Sequence, residues 1–381
     1  MEEKENNQLI NKKRKNNKYN SNKSKQSDKL KDNINIHFVK NIINDIYNYY
    51  FDENYHYNSF IIFNSISSNI LYMVFSKGNS ICFFNIKDNR LLLQIKNAHK
   101  DAITIFRYYF DKINRRDLIL SLSRDGCIKI WNINNFECIN TIETLEKKHF
   151  YFNIYSEFIC YTFCFLIENN NIYLVIAINK NYYGNIIIPL RVIDLNGKII
   201  KEIKNSDIKD IYYIDSFYDD KLSKNFIIIS CLGMLISYDY NKNEIYHKYI
   251  DDSNDKIYKK FIIRNNKDNI TELISSSYDG NIRIWNFHSS DLISVIKVHK
   301  AKLFDICMWN NDFLCVGCET GRIKIIDLAN KKCCKELKKD SIGLNSSVTT
   351  IQKVIFSNNS EFLVSKCGNQ ITLWEDKKLL L

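Results

Sequence analysis

The 381-residue chain is 45% hydrophobic and 13% aromatic, ample for a large buried core and too apolar for a disordered protein. Its formal charge of +11 bears on attraction to acidic partners, not on fold. Ile, Tyr and Phe are abundant while Gly numbers 10 and Pro 1, so the chain leans towards strand, with tight turns left largely to Asn and Asp.

Residues 1–33 hold 10 Lys+Arg against 5 Asp+Glu and almost no apolar side chains, which predicts a disordered Lys/Asn-rich tail. Within it Lys12-Lys13-Arg14-Lys15 resembles a short nuclear-import signal, set against a chain that is Lys-rich throughout. No apolar export segment opens the sequence. The longest apolar runs, 158–167 and 172–178, fall short of the roughly 18 residues that span a bilayer. An intracellular soluble protein, cytoplasmic or nuclear, is expected, without membrane insertion and with its Cys residues reduced.

From residue 45 to 381 short apolar runs alternate with Asn/Asp/Ser/Gly clusters. A recurring string emerges: a strand, a tight polar turn, then a strand closing on an aromatic or aliphatic residue followed by Asn or Asp. Its clearest copies are Ser123-Arg-Asp-Gly-Cys-Ile-Lys-Ile-Trp131-Asn132 and Ser277-Tyr-Asp-Gly-Asn-Ile-Arg-Ile-Trp285-Asn286. Weaker copies end at Phe84-Asn85, Ile193-Asp194, Tyr238-Asp239, Ile326-Asp327 and Trp374-Glu375. Successive endings lie 47, 62, 45, 47, 41 and 48 residues apart. Five of these spacings sit near the roughly 40–45-residue period of a four-stranded propeller blade, and an insertion around Asn179–Asn185 accounts for the long one.

The array resembles the WD-repeat family, whose ideal repeat ends in Trp-Asp with a Gly-His about thirty residues upstream. Here Ala98-His99 precedes Trp131-Asn132, and Val298-His299 precedes Ile326-Asp327. The resemblance implies an all-β, seven-bladed propeller of four-stranded antiparallel blades over 45–381. It also implies a ring closed by an N-terminal strand, for which Tyr47–Phe51 has the expected spacing. It maps the family's buried hydrogen-bond tetrad onto His99, Ser123 (or Ser121), Asp125 and Trp131. Blade five keeps Ser277, Asp279 and Trp285 without a His, and blade six keeps His299.

Other constellations carry less. His, Asp and Ser also spell a hydrolase triad, but catalysis needs an exposed Ser beside oxyanion donors. Cys315-Val-Gly-Cys318 with Cys333-Cys334 invites zinc, yet strand residues three apart point to opposite faces. Asn114-Arg115-Arg116-Asp117 has the wrong flanks for a phosphoinositide motif. An Arg two residues after the repeat ending would resemble ubiquitin-ligase receptors; Asn134, His288 and Lys377 stand there instead.

No enzyme activity, cofactor or metal is expected. Blade geometry nominates Lys100, Arg124, Tyr278, Lys300, Lys302 and Glu319 on one loop face, with Tyr182 and Tyr183 of the insertion as a second candidate. The reading is a non-catalytic protein–protein interaction scaffold within a multiprotein complex, monomeric on its own. The alternative is a nucleic-acid-associated propeller in RNA processing or ribosome assembly, with RNA as a partner.

Overall fold

The computed structural model describes residues 36–41, 59–144, 160–178, 190–251, 256–338, 347–355, 360–367 and 370–376. Its strands form seven sheets of four antiparallel strands each. Blades one to six are consecutive, covering 60–95, 103–143, 160–203, 213–250, 258–297 and 303–337. Blade seven takes three strands from 348–376 and its fourth from Ile36–Asn41. The innermost strand of each blade touches the innermost strands of both neighbours, so the ring is closed. Among the described residues, no helix is long and apolar enough to cross a membrane.

The core is divided among the seams. Seven apolar clusters are present, each drawing side chains from two adjacent blades. Phe63, Val74 and Phe83 of blade one meet Ile103, Ile119 and Trp131 of blade two, for example. A second strand such as Arg116–Ser123 is therefore buried on both faces, whereas the outer strand Glu137–Glu143 of the same blade is mostly exposed. That explains why the interior strands read as continuous apolar runs rather than alternating ones. No blade buries its own faces alone, so each depends on its neighbours.

The repeat endings have two physical causes. In blades one to six the register between third and outer strand slips at the apolar closing residue: Phe84, Trp131, Ile193, Tyr238, Trp285 and Ile326. The Asn or Asp that follows then caps the next turn. Asn85, Asn132, Asp194, Asp239, Asn286 and Asp327 each accept a backbone N–H from two or three residues further on, the Asx-turn pattern. Scarce glycine is replaced as expected: seven of the thirteen described non-glycine residues with positive φ are Asn. Gly280 is a place where no substitute fits, because its φ is +82° and an added Cβ would lie 2.1 Å from the His299 carbonyl oxygen.

The closing strand differs from the expectation. Ile36–Asn41 pairs antiparallel with Gln370–Asp376, and Tyr47–Phe51 lies outside the described residues. Spacing to the next inner strand misled because that connection, 42–59, is longer than the 96–102 connection that follows blade one. Loop length costs little free energy and is a poor ruler for register. The propeller therefore starts at 36 rather than 45. The long repeat interval likewise contains two undescribed stretches, 145–159 and 179–189; the expected insertion lies in the second, outside the described residues.

A chain of contacts also runs round the central channel. Arg107 of blade two donates to the Phe163 carbonyl of blade three at 3.3 Å and lies 5.8 Å from the Tyr213 ring of blade four. Lys260 of blade five stands 5.5 Å from the same ring and pairs with Asp305 of blade six at 3.0 Å. Burial disfavours the Lys260 charge, but Asp305 outweighs it and raises its pKa. Asp305 accepts the Ile351 N–H of blade seven at 2.8 Å, and Gln352 accepts the Ile62 N–H of blade one at 3.1 Å. Phe63 then stacks on Tyr108 of blade two, 4.2 Å between centroids.

Candidate functional site

Blade two holds a complete polar network at its seam with blade one. His99 Nδ1 lies 3.0 Å from Asp125 Oδ2, and its Nε2 lies 2.7 Å from Ser121 Oγ, which also accepts the Trp131 indole N–H at 2.8 Å. A carboxylate only accepts, so Nδ1–H donates to Asp125. Neutral Nε2 then accepts the Ser121 hydroxyl, and every polar atom along the chain finds a partner. Burial alone would raise the Asp125 carboxyl. The His99 hydrogen bond and the N–H groups of Lys100 and Cys127 outweigh it and hold the carboxyl at about 2.

The serine is Ser121, not Ser123. Both point to one face of their strand, since side chains alternate with a period of two, so parity does not separate them. The hairpin register does: Trp131 pairs with Ile119, leaving Ser121 one diagonal step away. Ser123 instead belongs to the turn, donating to the Asp101 carbonyl at 2.8 Å and accepting the Asp125 N–H at 3.1 Å. Blade five repeats the correction: the Trp285 indole donates to Ser275 at 3.2 Å, while Ser277 accepts the Asp279 N–H. Blade seven has the same pair, Trp374 on Ser365 at 2.8 Å. Ser121 and His99 are both buried, an arrangement with no room for a substrate beside the hydroxyl.

Blade five substitutes an ion cluster for the missing His. Arg283 grips Asp279 at 2.5 and 3.2 Å and Asp251 at 2.7 Å, and Lys256 joins Asp251 at 2.6 Å. Burial opposes the Arg283 charge, but the two carboxylates raise its pKa. Arg283 occupies the register place of Lys129, opposite Ser275 as Lys129 is opposite Ser121. Nothing in the repeat pattern marked it, because Asp251 and Lys256 lie in the variable connection between blades. In blade six His299 Nδ1 accepts the Ala301 N–H at 2.9 Å, and burial followed by Lys324 lowers its pKa.

The nominated loop-face residues fall into two groups. Lys100 and Arg124 lie beside Asp125, Lys100 donating its N–H to that carboxylate at 2.8 Å. Tyr278, Lys302 and Glu319 gather at the seam of blades five and six. There Tyr278 meets Phe304 edge-on at 5.5 Å, Lys302 stands 5.5 Å over the Tyr278 ring, and Lys302 pairs with Glu319 at 3.5 Å. Burial, with Tyr212 and Glu319 nearby, raises the Tyr278 phenol. Lys300 is exposed on the loop just before this group. Tyr182 and Tyr183 lie outside the described residues.

Cys315 packs into the seam of blades six and seven and Cys318 into that of blades five and six, so the two thiols face apart. Burial pushes Cys318 up to about 12. No group of three or more His, Cys, Asp or Glu suited to a metal ion occurs among the described residues. Arg116 pairs with Asp111 at 3.0 Å, and Asp117 is buried, accepting from Ser65 at 2.8 Å and from Tyr108 at 2.5 Å. That motif is a turn and a clamp between blades one and two.

Seven closed four-stranded sheets with seam cores define a β-propeller. The model of the WD domain, G-beta repeat, matches residues 263–286, which end on Trp285-Asn286. A 68-residue stretch is 37% identical to human kinesin-like protein KIF21B, spanning 18% of this chain and 4% of that protein. Another of 115 residues is 30% identical to COMPASS component SWD3 of Saccharomyces cerevisiae, spanning 29% of this chain and 36% of that protein. The crystal structure of Chaetomium thermophilum Raptor shares the fold with TM-score 0.64 at 15% identity, over 92% of this chain and 30% of that one. Each match thus spans well under two thirds of the relative. The chain is a WD-repeat β-propeller.

Proposed function

We propose that this protein is a non-catalytic scaffold that holds a protein partner within a multiprotein complex, through the loop face at the seam of blades five and six. The observation that carries this reading is the half-buried Tyr278, braced edge-on by Phe304 and flanked by the paired Lys302 and Glu319. A rigid aromatic surrounded by charges of both signs has the make-up of a protein-binding anchor. A groove for RNA calls for a continuous basic track with stacking aromatics. SWD3, to which one stretch is similar, is named as a component of COMPASS, and that supports a role inside an assembly.

The test is co-purification from native cells with a C-terminal tag, comparing the wild-type chain with Tyr278→Ala. Loss of an anchor costs about 2 kcal/mol, so a stoichiometric partner of the wild type should fall to trace levels with the variant. Unchanged recovery removes this seam as the docking site. A gel shift with RNA that weakens steeply with salt would replace the reading with the nucleic-acid one.

A further inference from the structure

In every blade the outer strand ends its sheet, so its far edge presents backbone N–H and C=O groups to an incoming strand. Charge is the usual way to blunt such an edge. Blades three, four, six and seven carry a Lys inside that strand: Lys201, Lys248, Lys335 and Lys40. Blades one, two and five have uncharged middles, and the charges at their ends tell them apart. Arg90 and Lys96 bracket the strand of blade one, and Glu137 and Glu143 that of blade two. In blade five the bracket is Asp291 and Lys297 around Leu292-Ile-Ser-Val-Ile296.

Those ends decide what each edge accepts. Two copies of one strand pair antiparallel about a two-fold axis, which sets each end against the opposite end of the other copy. In blade one that opposes Arg90 and Lys96, and in blade two Glu137 and Glu143, both repulsive. In blade five it sets Asp291 against Lys297 twice, Ile293 against Val295 twice, and Ser294 against itself. Asp291 and Lys297 are exposed, as are Leu292 at 38%, Ile293 at 40% and Val295 at 48%. A solvent-facing strand with three large apolar side chains gains from being covered.

The backbone is turned the right way. Val298 donates its N–H to the Gly280 carbonyl, and along an antiparallel pair inward-bonded residues alternate with outward ones. Val295 and Lys297 therefore point their N–H and C=O groups away from the strand Asn281–Asn286. The bulge between third and outer strand displaces Asp291 by up to one residue's rise, ~3.3 Å, within reach of the flexible Lys297 stem. The same edge offers its backbone to any extended peptide; the opposite charges spaced evenly about Ser294 are what commit it to a second copy.

We propose that Asp291–Lys297 is a self-association edge, through which two copies of this chain join as a two-fold dimer with their blade-five sheets continuous across the contact. The sequence alone suggested a single copy. One strand from each copy falls below the ~1,200 Å² of a stable interface, so association in the micromolar range is expected. The contact is independent of the Tyr278 seam.

Sedimentation equilibrium of the full chain, taken to about 100 μM, should show a monomer–dimer equilibrium. Asp291→Lys and Lys297→Asp each make both end pairs repulsive and should weaken it about tenfold. Mixed in equal amounts, these two variants should associate as the wild type does, because one supplies cations and the other carboxylates at both ends. Val295→Lys, on an exposed side chain in the middle of the contact, should leave monomers. Tyr278→Ala and deletion of 1–33 should change nothing. Because the mixture compares the same two chains apart and together, it reads the contact whatever their melting temperatures. A wild type that stays monomeric overturns the inference, as does a mixture no tighter than its components. Dimers of Val295→Lys as tight as the wild type's, or loss of association on deleting 1–33 or with Tyr278→Ala, overturn it equally by placing the contact elsewhere.

Discussion

Arg283 holds Asp279, the turn carboxylate of blade five, as His99 holds Asp125 in blade two, with a guanidinium contact of 2.5 Å in place of an imidazole contact of 3.0 Å. Both carboxylates follow a Ser in a Ser-X-Asp-Gly turn, so the same backbone is fixed by two different chemistries. The guanidinium also reaches Asp251, which ties the preceding connection to the blade.

That cluster gives the first prediction. Arg283 is 1% exposed, and removing it leaves Asp251 and Asp279 to share Lys256, at 2.6 and 3.6 Å. Arg283→Ala should destabilise the ring by about 3 kcal/mol. Urea denaturation of the two proteins measures it, and a change below about 1 kcal/mol would show that water takes over both carboxylates.

The serine assignment gives a second. Ser121→Ala strands the Trp131 indole N–H and His99 Nε2 in a buried seam and should cost about 2 kcal/mol. Ser123→Ala removes two part-buried turn bonds, to the Asp101 carbonyl and from the Asp125 N–H, and should cost about 1 kcal/mol. The reverse order would return the tetrad to Ser123.

The pH dependence follows from Asp125 and Asp279, each held at about 2 against an ordinary 3.8. A depressed carboxylate stabilises the fold while charged. Its contribution is complete above about pH 4 and is lost as pH falls through about 2. Unfolding midpoints from pH 5 to 2 should therefore drop, and Asp125→Asn should flatten that acid limb. An acid limb as steep as the wild type's would remove Asp125 from it.

The seam gives a fourth. Replacing residues 36–41 by Gly and Ser removes the outer strand of blade seven and leaves Gln370–Asp376 as an open edge, which invites aggregation. Melting temperature should fall and turbidity rise with concentration, whereas deletion of 1–33 should change neither. Equal melting curves would mean that another segment takes the place of the strand.

Much of the architecture was legible because the repeats carry it locally. The apolar-Asx endings predicted the third strand of blades one to six, since the residue that packs the seam precedes the residue that caps the turn, and Trp374-Glu375 marked that of blade seven. Where two residues share a face, as Ser121 and Ser123 do, period alone offered no choice. Where the partner lies in a connection of variable length, as with Asp251 and Arg283, no repeat marks it.

The sequence by itself determined seven blades and their strands, because apolar runs and Asx turns are local properties of the chain. The tertiary structure decided which serine meets Trp131, which N-terminal residues close the ring, and that Arg283 takes the place of a missing His beside Asp279. Those are relations between strands whose register and blade order bring distant residues together, and no short stretch of sequence contains them.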